Sequence, residues 1–297
     1  MSLKNKPEGF LNIDKPSGPS SFDIIRRIRL QFRGVKAGHG GTLDPLASGV
    51  LVIALGSMTR MIPYLELSPK RYRFKIQFGT ETDTLDSSGK ILKRDTGIPE
   101  RGSLEKILGS FRGRITQTPP LYSAVKINGV PAYKLARAGR DFSLPEKSVD
   151  ITELDLIEYS PEKGEALITV ECSPGTYIRS LARDISRALG TEGYASMIQR
   201  RGCGDYSIEE SFSMSDDPEE TLSMLKRPAD VIRDSLVVKL DQQMLKRVSN
   251  GMEVHAPVSA DKSILFGFDS GNELSAVLEN RGSEGLHPVK VFRSGRE

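Results

Sequence analysis

The feature that most constrains this chain is strict period-two alternation in two widely separated segments. Tyr72, Phe74, Ile76 and Phe78 are interleaved with Arg73, Lys75 and Gln77, and Ala166, Ile168, Val170 and Cys172 with Leu167, Thr169 and Glu171. Successive strand side chains point to opposite faces, so each segment reads as a half-buried strand. Val50–Leu55 is apolar throughout and reads as a buried strand, and Gly9–Ile13 as a short one. Helical spacing appears in three places. After the breaker Lys15-Pro16-Ser17-Gly18-Pro19, Ser20 or Ser21 can cap a helix with the stripe Phe22, Ile25, Ile28 and Phe32. Leu104, Ile107, Leu108 and Phe111 form a second stripe. Ile178, Leu181, Ile185 and Leu189, following Pro174-Gly175, form a third. Strands outnumber helices and follow no regular βαβ alternation. The expected class is therefore α+β, with a mixed or antiparallel central sheet.

The chain has 297 residues, which predicts about two domains at ~150 residues each. Segment 118–146 has little periodicity and many basic and small residues, and reads as an insertion or mobile arm. The polar stretch Ser213–Glu220 precedes a last unit of short strands and turns, so the expected division is 1–228 and 229–297. No apolar run approaches the ~18 residues of a spanning helix, and no signal peptide is visible, so a cytoplasmic protein with no membrane partner is expected. Two cysteines, Cys172 and Cys203, make neither a disulfide scaffold nor a four-cysteine zinc site. With only three histidines, at 39, 255 and 287, no metal is expected.

The formal net charge of +3 does not itself announce a nucleic acid, but its distribution does. Ile24–Leu43 carries five basic residues and no acid, and Phe111–Arg140 carries six and no acid. Lys70, Arg71, Arg73 and Lys75 form a third cluster, whereas 229–297 is near neutral. Positive charge gathered into acid-free segments is the footprint of a polyanion binder, RNA or DNA.

Motifs for phosphate-cradling loops, dinucleotide binding, metallohydrolases and serine hydrolases are absent. The richest string is Gly38-His39-Gly40-Gly41-Thr42-Leu43-Asp44-Pro45-Leu46-Ala47-Ser48-Gly49. Its glycines allow close backbone approach, and Pro45 biases Asp44 towards an extended conformation. Tyr72 lies on the apolar face of its strand, as a core residue or as a ring on which a nucleobase stacks. Arg179, Arg183 and Arg187 share one helix face. Arg179 falls in the first helical turn, where the macrodipole disfavours a cation, so it calls for an anionic partner such as Asp44 or a phosphate. Gln117 to Gly129, with Tyr133 and Arg137 beyond, interleaves aromatic and basic residues in the manner of a phosphate-tracking arm.

Together these segments resemble the TruB family of tRNA pseudouridine synthases, in the right order from about Gly9 to Tyr206. The resemblance rests on Asp14-Lys15-Pro16-x-Gly18, the Gly38–Gly49 string, Lys70-x-Tyr72 with Gly79-x-x-Thr82-Asp83-Thr84-x-Asp86, Pro119-Pro120-x-x-Ser123-Ala124-x-Lys126, and Gly175-Thr176-Tyr177-Ile178-Arg179-Ser180-Leu181. The C-terminal Leu286–Phe292 is similar, more weakly, to the small RNA-binding PUA-like domain that closes many such chains.

The resemblance implies a pseudouridine-synthase catalytic domain with a thumb-like insertion and a mostly-β PUA-like domain. It implies isomerisation of a flipped-out uridine in the tRNA T-loop, at tRNA position 55, without cofactor. Asp44 would be the nucleophile, attacking uracil C6 or ribose C1′, with Arg179 keeping it ionised and Tyr72 stacking on the base. His39, Tyr72, Tyr177 and Ile198 match substrate-contact positions, and Lys15, Lys126, Arg137 and Arg200 are expected to touch RNA. A monomer with no obligate protein partner is expected. The chain departs from the family pattern at Gly40 (usually threonine), Ile198 (usually leucine) and Gln199 (commonly arginine). The thumb sequence Ser123–Gly129 is like the stand-alone tRNA enzymes, not the guide-dependent ones. The competing readings are an RNA chaperone without chemistry, a synthase acting at another RNA site, and a glycoside hydrolase with two carboxylates, for which Asp86 is the second candidate.

Overall fold

The computed structural model describes residues 6–95, 97–259 and 261–292. Its centre is a nine-stranded mixed sheet. Strands β1 (Gly9–Lys15), β2 (Ala37–His39) and β3 (Ser48–Leu55) make one end, β3 pairing antiparallel with both of the others. β4 is Lys70–Phe78; a small side ribbon follows, made of β5 (Thr80–Thr82) and β6 (Ile91–Arg94). β7 (Gly113–Gln117) precedes another small ribbon of β8 (Lys126–Ile127) and β9 (Val130–Pro131). β10 (Lys147–Ser160), β11 (Glu165–Cys172), β12 (Gly193–Cys203) and β13 (Tyr206–Ser207) complete the sheet. The order is β1-β3-β12-β4-β11-β10-β7, with β13 beside β12. Only the short β3–β12 contact is parallel, at Gln199↔Ser48 and Arg200↔Gly49.

Helices α1 (Ser21–Gln31), α2 (Arg101–Ser110) and α4 (Ile178–Ala188) cover one face and share its core with Leu51, Ile53, Phe74, Ile76 and Ile168. The short α3 (Ala132–Arg137) lies in the 118–146 segment. α1 starts with a full capping box, Ser20 and Asp23 each satisfying the other's backbone N–H. Its buried residues are Ser21, Ile24, Ile25 and Ile28, continuing to Phe32. Phe22, expected inside, is 62% exposed. At 3.6 residues per turn it lies roughly 100° from the centre of that face, whereas Ile24 lies about 60° from it on the other side.

The other face of β1 and β3 is also covered, which explains the unbroken apolar run Val50–Leu55. Phe10, Ala54, Met58 and Met61 pack against Ile232, Leu236, Phe266, Phe268, Leu274, Val277 and Phe292. Of those partners, Phe266, Phe268, Leu274 and Val277 belong to a second, four-stranded sheet, and Ile232, Leu236 and Phe292 flank it. It orders β14 (Val237–Lys239), β15 (Ile264–Phe268), β16 (Leu274–Asn280) and β17 (Leu286–Val291), with β14–β15 parallel. The architecture is α+β with a separate, mostly-β C-terminal unit, as expected.

Segment 118–146 is more ordered than its lack of periodicity predicts. Asn128 and Gly129 have φ of +49° and +83° and close a two-residue hairpin between β8 and β9, and α3 follows at once. Among the described residues no helix is long and apolar enough to cross a membrane.

Candidate active site

Asp44 sits at the first position of a tight turn. The Ala47 N–H donates to the Asp44 carbonyl at 3.0 Å, with Pro45 second, the position whose φ proline pre-sets. The segment after β1 holds this turn. Ser21 Oγ both donates to the Leu43 carbonyl (3.0 Å) and accepts from the Leu43 N–H (2.8 Å). The Gly18 N–H donates to the Pro45 carbonyl at 2.8 Å, and Ser17 Oγ to that of Leu46 at 2.9 Å. Two distant motifs are thereby one structure. Ser21 went unread as a site residue; the sequence offered it only as an alternative to Ser20 for capping the helix.

Lys15 belongs to the same scaffold. It is fully buried, and its Nζ donates to the carbonyls of Pro16 and Pro19 at 2.8 Å each. Burial, resisted by Asp44 and reinforced by Arg200, pushes its ammonium down to about 8. Arg200 is fully buried too. Its Nε donates to the Val50 carbonyl at 2.7 Å and its Nη2 to that of Gly41 at 3.1 Å. The expectation that Lys15 and Arg200 touch RNA is therefore corrected: both lie in the interior and donate to backbone carbonyls, and Arg200 Nη1 is buried there without a partner. Lys126 and Arg137, by contrast, are exposed on the 118–146 segment.

Arg179 is 6% exposed and gathers the site. Its Nε lies 2.9 Å from Oδ2 of Asp44, whose side chain is 40% exposed. Nη1 donates to the Thr84 carbonyl at 2.8 Å and lies 3.4 Å from Oδ2 of Asp86. Nη2 donates to the Tyr122 carbonyl at 3.0 Å. Asp86 is 8% exposed, and its Oδ1 accepts from Thr84 Oγ1 (2.7 Å) and the Ser88 N–H (3.0 Å). Its role was not legible in the sequence, where nothing placed it near Asp44. Arg183 and Arg187 are also partnered, by the Thr118 carbonyl at 3.1 Å and by Glu81 at 2.9 Å.

These groups open onto a cavity of about 270 Å³ whose lining includes Asp44, Lys70, Tyr72, Tyr177, Arg179 and Ile198. Tyr72 stands on β4 directly opposite Arg200 on β12. Burial pushes its phenol up to about 12, with Arg200 pulling the other way, so it stays protonated at neutral pH. Burial, and then the Asp44 carboxylate, also raise the Tyr177 phenol. Gln117 fixes the backbone of Tyr177, accepting from its N–H at 3.1 Å. His39 is on β2 and is not part of the lining. Burial and Arg200 hold its imidazole below the usual histidine value, so it is neutral, and its Nδ1 is buried without a partner. Gly40 has a neighbour that accounts for its small size: a β carbon there would lie 2.2 Å from Leu67 Cδ1. Among the described residues no group of three His, Cys, Asp or Glu side chains is placed to hold a metal.

A carboxylate half open to a pocket, fixed by a buried guanidinium and faced by a protonated phenol, can attack an electrophilic carbon while a neighbour handles a proton. Residues 27–178 match the TruB family pseudouridylate synthase N-terminal domain. The chain is 36% identical over 288 residues to tRNA pseudouridine synthase B of Caldanaerobacter subterraneus subsp. tengcongensis, covering 96% of this chain and 99% of that protein. It is 35% identical over 304 residues to tRNA pseudouridine synthase B of Caulobacter vibrioides, covering 96% of each. In fold it is similar to a chain in the crystal structure of a Cbf5-Nop10-Gar1 complex. The TM-score is 0.72 at 23% identity, covering 96% of this chain and 84% of that one.

Proposed function

Because the chain belongs to the TruB family, and so isomerises uridine in tRNA to pseudouridine, we propose that its target is the T-loop uridine at tRNA position 55 and that Asp44 is the nucleophile. The reaction breaks the N1–C1′ bond, forms a C5–C1′ bond, removes the proton from C5 and places one on N1. Its atoms balance without water or cofactor. Asp44 attacks C6 of the base or C1′ of the sugar; either carbon takes a carboxylate that is ionised and positioned.

The observation that carries this reading is the 2.9 Å contact between Arg179 and Asp44 at the wall of the cavity. The uridine leaves the loop to enter it, at a cost of a few kcal/mol. Tyr72 stacks on the extruded ring, worth ~1–3 kcal/mol, and its phenol relays the C5 proton by giving up its own proton as it accepts that one. Tyr177 and Ile198 pack on the same nucleotide, and neutral His39 fills space in the loop that the base vacates. Lys126 and Arg137, on a segment anchored to α4 through Tyr122 and Thr118, track the backbone. We further assign catalysis to 1–228 and auxiliary RNA contact to 229–297, in a cytoplasmic monomer.

The test is tritium release from a tRNA transcript labelled at uridine C5, with purified protein alone, the product site mapped and Asp44→Asn run beside it. Release of one tritium per tRNA from the T-loop, absent in the variant, is the expected result. Wild-type activity in the variant overturns the nucleophile, and a product elsewhere overturns the site.

A further inference from the structure

Charge around the cavity is unbalanced. The carboxylates of Asp44 and Asp86 are both committed to Arg179. Around them stand Lys15, Lys70 and Arg200, all wholly or partly buried, and Lys147 at the rim. Lys15 and Arg200 are held by backbone carbonyls. Lys70 and Lys147 differ. Among the described residues neither ammonium has an ion-pair partner, and none accepts a side-chain hydrogen bond from either.

Both ammonium groups lie against glycines that leave room for them. A β carbon on Gly175, a cavity-lining residue with φ +89°, would fall 2.0 Å from Lys147 Nζ and 3.0 Å from its Cε. A β carbon on Gly41, with φ +123°, would fall 3.1 Å from Lys70 Nζ. Lys70 lines the cavity itself, and Lys147 is among the charges that hold its ammonium below the ordinary lysine value, after burial and Arg200. Lys147 is also the first residue of β10, opposite Gln117, the last of β7. It therefore stands where the 118–146 segment leaves the sheet, and Gln117 is the residue that fixes Tyr177.

Two unpaired cations at one cavity repel each other until an anion joins them. We propose that Lys147, backed by Lys70, clamps a backbone phosphate next to the extruded uridine, and so sets how deeply the nucleotide enters the site. This rests on the isomerase reading and adds to it a positioning residue that none of the matched motifs contains. A phosphodiester fits the site: it is a compact anion that accompanies every nucleotide, and a lysine ammonium serves it as a point charge.

The test is a binding cycle with a T-arm stem-loop. Lys147→Gln is expected to raise Kd about tenfold at ~0.1 M salt and to reduce the slope of log K against log salt by about 1. Its unfolding midpoint should match the wild type, because the side chain is exposed. Single methylphosphonates, which remove one phosphate charge, are then placed 5′ and 3′ of the target uridine. One of them should weaken the wild type by a similar factor yet leave K147Q unaffected, and Lys147→Arg should recover most of the loss. Wild-type affinity in K147Q, or losses that add at both positions, overturns the proposal. The same RNAs report isomerisation, so the two readings fail separately. If wild type binds and the cycle holds but no pseudouridine forms, the functional reading falls and the phosphate contact stands. If pseudouridine forms and the losses add, the reverse is true.

Discussion

The Nε of Arg179 lies 2.9 Å from Oδ2 of Asp44, although 135 positions separate the two residues in the chain. The guanidinium also reaches Asp86, and the two carboxylates it holds are unlike. Asp86 is 8% exposed and takes hydrogen bonds from Thr84 and Ser88 on its other oxygen; Asp44 is 40% exposed and faces the cavity. Asp86 fixes the arginine, and the arginine aims Asp44. This separates the site from a two-carboxylate glycosidase, because the second carboxylate faces the arginine instead of flanking a bond.

Removing that arginine should therefore cost both stability and chemistry. Arg179→Ala leaves Asp86 buried without its cation, a loss of about 3–5 kcal/mol. It also frees Asp44, and single-turnover isomerisation should fall by about 10² or more. Arg179→Lys keeps the charge but cannot span Asp44, Asp86 and two carbonyls at once, so it should lie between. Urea midpoints and single-turnover rates on one preparation check this. An R179A midpoint equal to the wild type would remove Asp86 from the argument.

The raised phenol of Tyr72 makes a pH prediction. Its proton is held up to about 12 in the folded protein against 10.0 in the unfolded chain. A raised folded value gives stability that is complete below pH 10 and lost as pH climbs towards 12, on the order of 3 kcal/mol. Cys172, pushed by burial from 9.0 up to about 11, adds a similar loss beginning near pH 9. Urea midpoints should fall steeply between pH 9 and 12, and Tyr72→Phe should lessen the part above pH 10, to which burial of the Tyr206 phenol also contributes. At neutral pH the same variant should bind RNA nearly as the wild type does and isomerise it about 10²-fold more slowly. An unchanged rate would leave Tyr72 with stacking alone.

How much of this could be read from the sequence follows from the physics of each signal. Alternation located β4 and β11, since a half-buried strand writes its two faces directly into the order of residues. Arg179 stood out because a cation in the first helical turn needs an anion. Lys15 and Arg200 misled for a related reason. Their charge predicts the surface, and nothing local announces the backbone carbonyls that allow a lysine and an arginine to be buried. Asp86 lay in a matched motif, but only tertiary packing brings it to Arg179. The hairpin of 118–146 was signalled by Asn128-Gly129 and lost among basic residues without period.

The C-terminal unit covers an apolar face of the central sheet. Phe10, Ala54, Met58 and Met61 on the catalytic side are covered by Phe266, Phe268 and Phe292, and Arg60 lies 4.3 Å over the ring of Phe292. Deleting 229–297 should therefore expose an apolar patch on β1 and β3, lower the unfolding temperature and favour aggregation, besides weakening tRNA binding. Isomerisation of a short T-arm stem-loop should persist, because no cavity-lining residue lies beyond Ile198. Phe292→Ala in the full chain is the milder form and should lower the unfolding temperature without altering the rate on the stem-loop. A truncated protein as stable as the full chain would show that the covered face is not part of the fold.

Gly40 tests whether a departure from the family pattern is compensated within this chain. Its φ is outside the left-handed region, so the backbone itself allows a β carbon. What opposes one is Leu67, whose Cδ1 would be 2.2 Å away. Gly40 also donates to the Val52 carbonyl at 2.9 Å, so displacing it would shift the strand that carries His39 and, two and four residues on, Thr42 and Asp44 in the cavity wall. Gly40→Thr should therefore overpack the loop by about 1–3 kcal/mol and slow isomerisation. Leu67 is half-buried, so Leu67→Ala alone should cost less than a core truncation. The double variant should regain most of what Gly40→Thr loses, giving a coupling energy of about 0.5–3 kcal/mol between the two sites. Urea midpoints and single-turnover rates of all four proteins close the cycle. Additive losses would mean that Leu67 is not what keeps residue 40 a glycine.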